Sequence, residues 1–388
     1  MLSLKKVVII GGGLSGISCA HYLDKTKYNV KIFESSSRPG GRAKSDYIDD
    51  YICDIGFQVL LNNYEEVKNL GVYNKLELCY FDSGSLIYNN DKIYKLYNPI
   101  RHPFKFITSD FLKIVKMRDI KSILKILFKN AYNSSNTSSL FNKFFSKRAK
   151  YYFFEPFFKG IFLNESLSND SRFFHKIFKK FAYGKASLPK HGMSKLSETI
   201  IDNSNLDVTY DKKVLKVNSN KVFFESGDDE EYDILIFSIP IRNINKLLNT
   251  NYESEYFTNK TIYIASTVKK LGKSILLIPN KDIALNSIQC LSNVSKSYSK
   301  NGKSLYSAST LDAEVSDNEL LNEFNKVTNI CKEDSKIIKS YTLPYALPAT
   351  FTSISSKDNH YYCGDWNNEP SIDGAIKSGR LVANQINE

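Results

Sequence analysis

The sequence has 388 residues, which is enough for two or three domains around a large buried core. Hydrophobic residues make up 42% of it and charged residues 24%, as is ordinary for a globular protein. The net charge is +12, but twelve basic and only two acidic residues lie between Pro99 and Lys150, so most of the excess is local. Lys, Asn, Ile and Tyr are abundant together, which indicates a compositional bias, and we expect no nucleic-acid partner.

Targeting and redox signals are sparse. No apolar run approaches the length of a membrane span, and an apolar strand begins within a few residues of Met1, which leaves no room for a signal peptide. The cysteines contain no CxxC pair, which suits reduced thiols and predicts no metal site. We therefore expect a cytoplasmic protein without a bound metal. The six cysteines are Cys19, Cys53, Cys79, Cys290, Cys331 and Cys363.

The first motif begins with an apolar run from Val7 to Ile10. A glycine turn, Gly11 to Gly16, follows it, then a helical pattern through Leu23 and a second strand that ends on Glu34. This order is typical of half a dinucleotide-binding fold, in which a pyrophosphate lies against free N–H groups at a helix N-terminus. The predicted phosphate-binding residues are Gly11, Gly13, Leu14, Ser15 and Gly16.

Each of these positions has an expected physical role. Gly11 permits the tight turn, Gly13 lets the pyrophosphate approach the backbone, and Gly16 lets the helix pack closely on the sheet. Glu34, which lies 18 residues after Gly16, can accept hydrogen bonds from ribose hydroxyls and would repel a 2′-phosphate. NADP is therefore disfavoured, and a nicotinamide enzyme is the weaker alternative.

A second glycine pair, Gly40-Gly41, follows the ribose acid and precedes Arg42. A nicotinamide dehydrogenase does not need it. The stretch from Gly11 to Arg42 resembles the extended FAD fingerprint of the flavin amine oxidase, protoporphyrinogen oxidase and phytoene desaturase superfamily. The resemblance implies FAD, with Ser35, Gly41 and the Arg42 cation near the cofactor.

The segment Asp54-Ile55-Gly56-Phe57-Gln58 resembles the part of these proteins that runs past the isoalloxazine ring. The resemblance implies that Gly56 and Phe57 lie at the flavin and that Gln58 presents a polar side chain near it. Gln58 is the one catalytic candidate. The alternative is a strand and turn with no catalytic part.

The basic region, residues 99–150, contains an amphipathic pattern between residues 110 and 129. Ile120, Ile123, Leu124 and Leu127 fall on one helical face, and Lys121, Lys125 and Lys129 fall on another. The pattern fits a helix packed on the core with a solvated lysine face, and it also fits peripheral contact with an anionic membrane. A loop is expected from Asn133 to Ser139.

An aromatic segment, Phe154 to Phe162, resembles a substrate-domain segment of protoporphyrinogen oxidases, so its rings either line an apolar cavity or form core. Further along, Val214 matches the family position that meets the adenine, and Ser238 ends a buried strand near the cofactor. His191 is read as a structural or exposed loop residue.

The last segment carries the second strong signal. A strand leads into Gly364-Asp365, and Ser371 is a predicted N-cap for the final helix. The segment resembles the C-terminal FAD motif of the same family, which implies that Asp365 accepts from ribityl or ribose hydroxyls and that the helix N-terminus, with Ile372 and Ala375, faces the flavin. A stripe of Ala375, Gly379 and Ala383 predicts close approach of this helix to the sheet. Trp366 is expected either near the ring or over the sheet edge.

Together these patterns predict an α/β fold in which a Rossmann-like FAD-binding domain is assembled from separate segments around an inserted α+β substrate domain. The expected FAD-binding segments are 1–62, 190–243 and 350–388. The expected substrate-domain segments are 63–189 and 244–349. The second of these contains no evident catalytic constellation.

The resemblance implies an FAD-dependent oxidoreductase that moves a hydride from a substrate C–H bond to flavin N5. No cysteine lies in a flavin-linking motif, so the FAD is expected to be noncovalent. The aromatic content and the basic helix favour a small apolar substrate, such as an isoprenoid or carotenoid precursor. An amine or a porphyrinogen is the alternative substrate, and a non-catalytic, membrane-surface FAD-binding protein is the alternative class.

Overall fold

The computed structural model describes residues 3–129 and 134–388, and the element boundaries below refer to these ranges. The strands are β1 Lys5–Ile10, β2 Tyr28–Phe33, β3 Ser45–Ile48, β4 Tyr51–Asp54, β5 Leu60–Leu61, β6 Leu78–Tyr80, β7 Gly84–Asn89, β8 Lys92–Tyr97, β9 Ala186–Pro189, β10 Asp207–Thr209, β11 Val214–Val217, β12 Lys221–Phe224, β13 Asp229–Glu231, β14 Ile234–Phe237, β15 Tyr256–Ser266, β16 Ile275–Leu277, β17 Leu285–Cys290, β18 Ser304–Thr310, β19 Ser335–Pro348 and β20 His360–Tyr362. The helices are α1 Leu14–Tyr22, α2 Glu65–Asn69, α3 Pro103–Ile107, α4 Phe111–Ile114, α5 Met117–Lys129, α6 Thr137–Phe144, α7 Lys147–Ala149, α8 Glu155–Phe162, α9 Ser171–Tyr183, α10 Ser194–Ser204, α11 Ile241–Leu248, α12 Leu291–Val294, α13 Asp317–Thr328 and α14 Ile372–Asn387.

A parallel sheet with the strand order β10-β2-β1-β14-β20 organises the described chain. The apolar run from Val7 to Ile10 forms its centre because these residues are buried on both faces, as the interior strand of a parallel sheet requires. Val7 pairs with Val30 on one side and with Ile234 on the other. Helices α1, α10 and α14 cover one face, and the small β11-β12-β13 sheet covers the other. The predicted Rossmann-like α/β fold is confirmed.

A second, mixed sheet has the order β19-β15-β18-β17-β16-β7-β8. One of its faces packs against α13 through residues such as Ile262, Tyr306 and Phe324. The predicted mixed sheet with helices is therefore present. Residues 64–76, by contrast, pack into the core beneath the parallel sheet, so that core extends past the predicted boundary at residue 62.

The helices between β8 and β9 enclose a core rich in phenylalanine. Phe154, Phe158 and Phe162 are at most 1% exposed, and Phe158 meets the ring of Phe174 edge-on at 4.7 Å between centroids. Of the two readings of this aromatic segment, core packing therefore holds for these three rings.

Two expectations for this helical region need correction. Helix α6 begins at Thr137 and is capped by the Asn136 side chain, so the predicted loop ends three residues early; Asn133 lies outside the described residues. On α5, Leu124 is 46% exposed rather than buried with Ile126 and Leu127. The side chain of Lys129 also lies outside the described part of the chain.

The final helix packs closely on α1 while it covers the sheet. A Cβ atom on Gly379 would lie 2.1 Å from the Ser15 carbonyl oxygen and 2.8 Å from the Cys19 nitrogen, so this glycine lets two helix backbones touch. Within the predicted small-residue stripe, Gly379 therefore meets α1, a partner that the sequence analysis did not name. Among the described ranges, no helix is both long and apolar enough to cross a bilayer.

Substituting Gly379→Ala should destabilise the fold by about 2 kcal/mol, because the added methyl group must force α14 away from α1. Urea unfolding followed by far-UV circular dichroism measures this change. Leu381→Ala is the matched control, because Leu381 lies on the same helix and is 44% exposed. Equal unfolding midpoints for the two variants would contradict the close contact.

Candidate functional site

The first glycine turn lies where β1 passes into α1. Gly11 has a φ of +106°, which other residues rarely adopt, and its N–H donates to the Phe33 carbonyl at 2.8 Å. A Cβ atom on Gly16 would lie 2.3 Å from the Gly11 carbonyl oxygen, so α1 can begin this close to the strand only with glycine there. Leu14 and Ser15 form the first turn of α1 and are buried.

Gly13 differs from these two glycines, because neither its backbone conformation nor any neighbouring protein atom requires a glycine there. Its φ of −77° suits any residue, and a Cβ atom there would have no heavy atom within 4 Å. The α1 N-terminus at Gly13 also receives no side-chain cap. The first-turn N–H groups thus face an open cradle, which fits a pyrophosphate.

The second glycine turn lies directly against the first. The Gly40 N–H donates to the Gly12 carbonyl at 2.8 Å, and a Cβ atom on Gly41 would lie 3.3 Å from the Gly13 Cα. This contact brings Arg42 to the same cradle. The structure therefore gathers the two predicted glycine motifs into one site.

Glu34 ends β2 beside this cradle and is 7% exposed. One carboxylate oxygen accepts from the Gly12 N–H at 2.7 Å, and the other accepts from the Ser36 N–H at 2.9 Å. Lys44, which the sequence analysis missed, places its Nζ 3.9 Å from Glu34. Burial lowers the pKa of Lys44, although the charge of Glu34 opposes that shift. Ser35 is exposed next to Glu34.

The C-terminal motif meets the N-terminal one through an ion pair. Asp365 is 6% exposed and lies 2.5 Å from Nη2 of Arg42, whose Nη1 donates to the Ala346 carbonyl at 3.0 Å. The Gly364 N–H donates to the Ser378 hydroxyl on α14 at 3.0 Å. Sequence positions more than 320 residues apart thus share one site.

The N-cap role predicted for Ser371 is confirmed, because its hydroxyl accepts from the Gly374 N–H at 2.9 Å. Ile372 and Ala375 are half-buried and pack toward the core beneath the parallel sheet. Trp366 is 2% exposed and donates to the Ile239 carbonyl at 3.2 Å, so it covers the sheet edge.

The remaining predicted contacts lie around the same sheet. The Ser238 hydroxyl is 2.8 Å from the Ser15 hydroxyl at the start of α1. Val214 is buried against Phe33 in the core under the small sheet, and the Lys212 N–H donates to the Glu34 carbonyl. His191, read from the sequence as structural or exposed, is exposed on a loop.

The segment from Gly56 to Gln58 lies between the loop at Arg42 and the second sheet. Gly56 has a φ of +75°, and a Cβ atom there would lie 2.8 Å from Leu343 Cδ1 and 3.6 Å from Asn259 Oδ1. The Gln58 amide donates to the Arg42 carbonyl at 2.7 Å and to the Ile55 carbonyl at 3.1 Å. Gln58 therefore holds this turn in place through its amide nitrogen. Phe57 is half-buried beside it.

The sequence analysis missed a group of uncharged polar side chains on the second sheet, which we call the neutral polar wall. The Thr261 hydroxyl donates to Asn259 Oδ1 and lies 2.9 Å from the Ser309 hydroxyl. Gln289 Nε2 donates to the Ser307 hydroxyl at 2.9 Å. The wall comprises Asn259, Thr261, Gln289, Ser307 and Ser309, all at most 7% exposed.

This wall is adjacent to the turn at Gly56 through Asn259. Within the described residues, Gln289 Oε1 is buried without a hydrogen-bond partner. The signal in the sequence is the alternation of Ser307 and Ser309 with apolar residues along β18, where a period of two marks one face.

Comparisons with known proteins agree with this geometry. A sequence model described as flavin containing amine oxidoreductase matches residues 14–272. Mitochondrial protoporphyrinogen oxidase of Nicotiana tabacum is 28% identical over 169 residues, which cover 41% of this chain and 32% of that protein. The 4,4'-diaponeurosporene oxygenase of Staphylococcus aureus is 35% identical over 60 residues, which cover 16% of this chain and 12% of that protein. This chain thus matches about a third or less of the length of these relatives.

A solved oxidoreductase from Methanosarcina mazei superposes with a TM-score of 0.74 at 16% identity. The superposition covers 98% of this chain and 100% of that one. At this identity the likeness establishes the fold alone.

Substituting Gly13→Val should leave the fold intact and lower flavin occupancy at least about tenfold, because the side chain enters an empty cradle and displaces a bound phosphate. The ratio of visible flavin absorbance to protein absorbance measures occupancy, and circular dichroism measures folding. Gly16→Val is the contrasting variant, which should lose folded protein because its side chain meets the Gly11 carbonyl. Full occupancy in Gly13→Val would contradict the assignment of the cradle.

Proposed function

Because the chain belongs to the flavin containing amine oxidoreductase family, we propose that it is an FAD-dependent oxidoreductase that removes a hydride from a substrate C–H bond. The observation that carries the proposal is that both glycine turns meet the Gly364-Asp365 turn at the edge of the parallel sheet where the carboxyl ends of its strands lie. Open α/β sheets bind their ligands at this edge.

The chain's own residues would hold the cofactor along this edge. The N–H groups after Gly13 would bind the pyrophosphate, and Glu34 would accept from ribose hydroxyls through lone pairs left after its backbone contacts. Arg42, which is paired with Asp365, would place positive charge beside the phosphates, and Asp365 would accept from ribityl or ribose hydroxyls. Bound FAD would supply N5 as the hydride acceptor, and the protein's part is to orient the substrate and exclude water.

The FAD is proposed to be noncovalent. The cysteine nearest the C-terminal motif, Cys363, is fully buried and contacts the Cys19 thiol, so it lies against α1 rather than facing the cradle. Burial raises the pKa of the Cys19 thiol well above its usual value, which makes that thiol a poor nucleophile.

Acid precipitation of the purified protein should release all of its flavin into the supernatant, because no covalent bond would retain it. Absorbance of the supernatant and of the redissolved pellet measures the partition. A yellow pellet after washing would show a covalent link and contradict this part of the proposal.

The proposed substrate is uncharged and largely apolar, such as an isoprenoid or carotenoid precursor. The neutral polar wall supports the absence of charge, because a protonated amine or a carboxylated porphyrinogen would need a counter-ion, and this wall contains only amides and hydroxyls. The Asp54 carboxylate nearby accepts from the Tyr298 hydroxyl, the Ser45 hydroxyl and the Met193 N–H, so these bonds occupy it.

Anaerobic mixing with an acyclic carotenoid precursor should bleach the visible flavin band, whereas a polyamine or a porphyrinogen should leave it unchanged, because only the uncharged compound suits the wall. Stopped-flow absorbance measures bleaching, and free FAD with each compound is the control. Bleaching by the polyamine or the porphyrinogen would favour the corresponding alternative substrate. A yellow protein that no donor class bleaches would favour a non-catalytic FAD-binding module.

A further inference from the structure

Helices α3, α4 and α5 bury one side in the phenylalanine-rich core and leave large apolar side chains in solvent. Six of the described large apolar side chains are more than 60% exposed, and five of these lie in this one short segment. Single exposed apolar residues are common on protein surfaces, but such a concentration indicates a binding surface. The five are Phe104 at 84%, Ile107 at 64%, Leu112 at 62%, Met117 at 62% and Phe128 at 69%.

Helix α5 carries apolar residues on the same side as its lysines. Met117, Leu124 and Phe128 recur at helical spacing, and Lys121 and Lys125 lie between them and are exposed. A merely solvated lysine face would not place three apolar side chains among its charges. The structure therefore favours an interacting face over the solvated one.

The charge on this surface is almost entirely positive. Asp119 is fully buried and accepts from the Lys116 N–H and the Ser146 N–H, each at 2.7 Å. Asp110 is paired with Lys113 at 2.8 Å. The exposed cations between residues 103 and 128 are Lys105, Lys113, Lys116, Arg118, Lys121 and Lys125.

A pocket of about 580 Å³ adjoins α4 on this surface. Arg148, at its wall, donates from Nη2 to the Leu112 carbonyl at 2.7 Å, which ties the pocket to the exposed apolar residues. None of the described residues that line the pocket is acidic, so its chemistry suits an anionic head group. Its basic and aromatic lining consists of Lys113, Lys147, Arg148, Tyr94, Tyr151 and Tyr152.

We propose that α3, α4 and α5 form a docking surface for an anionic phospholipid bilayer. The five exposed apolar side chains enter the interface between head groups and acyl chains, and the surrounding cations attract the lipid phosphates. A second copy of the chain is disfavoured as the occupant, because two such surfaces would bring like charges together. The inference goes beyond the proposed redox function and does not depend on the substrate.

Co-sedimentation of the full, flavin-loaded chain with vesicles tests the proposal. Vesicles of phosphatidylcholine with phosphatidylglycerol should bind it, vesicles of phosphatidylcholine alone should not, and added NaCl should weaken the binding. The combined change of Lys116, Lys121 and Lys125 to Glu should lower the partition coefficient at least about a hundredfold.

Two matched controls separate the surface from general effects. Changing Lys303, Lys326 and Lys332 to Glu makes the same alteration in net charge at exposed positions elsewhere and should leave most binding. Phe128→Ser should lower binding about tenfold. Phe351→Ser should not, although Phe351 is also 64% exposed.

A fluorescence measurement reports insertion directly, since the chain's one tryptophan, Trp366, is 2% exposed. With anionic vesicles, Phe128→Trp should give a blue-shifted emission that Leu215→Trp does not, although Leu215 is 53% exposed. Equal loss of binding in both lysine triples, or no shift with Phe128→Trp, would overturn the proposal. Absence of vesicle binding together with a dimer that Phe128→Ser dissociates would also overturn it, in favour of a self-association surface.

Discussion

The contact between Arg42 and Asp365 is the constraint on which the site at the two glycine turns depends. It joins the loop after the second glycine turn to the turn after the last strand of the sheet, and Asp365 is almost fully buried. A buried carboxylate is stable only when it is paired or hydrogen-bonded, so this ion pair holds the loop at Arg42 against the turn at Asp365. The packing of α14 on α1 at Gly379 also holds the C-terminal segment against the first glycine turn. One site is thus built from two distant parts of the sequence.

The two sheets contribute different chemistry to this site. The parallel sheet offers backbone N–H groups, the Glu34 carboxylate and the Arg42 cation, which suit a charged nucleotide. The mixed sheet offers uncharged amides and hydroxyls, and one of these groups, the amide of Asn259, lies next to the Gly56 turn. Gln58 links the two regions, because its amide bonds the Arg42 carbonyl from within the Gly56 turn. The charged groups of the site thus lie on the parallel sheet and its loops, and the uncharged ones lie on the mixed sheet.

Local spacing in the sequence was sufficient to predict the parts of the site that form within a few turns of chain. Gly11, Gly16 and Glu34 lie in one strand–helix–strand unit, where residue type and separation fix the geometry. Resemblance supplied Asp365, whose partner lies more than 320 residues away. Neither approach found the neutral polar wall or Lys44. Thr261 and Ser309 meet only through strand register, and no local pattern encodes that register.

The order of strands in the parallel sheet has a consequence for biosynthesis. β14 lies between β1 and β20, so the sheet takes residues from near positions 10, 236 and 361. A ribosome that has translated β1 and even β14 has not yet made β20, and the free edge of β14 must wait unpaired. The site that the glycine turns form with Asp365 can therefore be assembled only after β20 has been translated, well after β1 and β14.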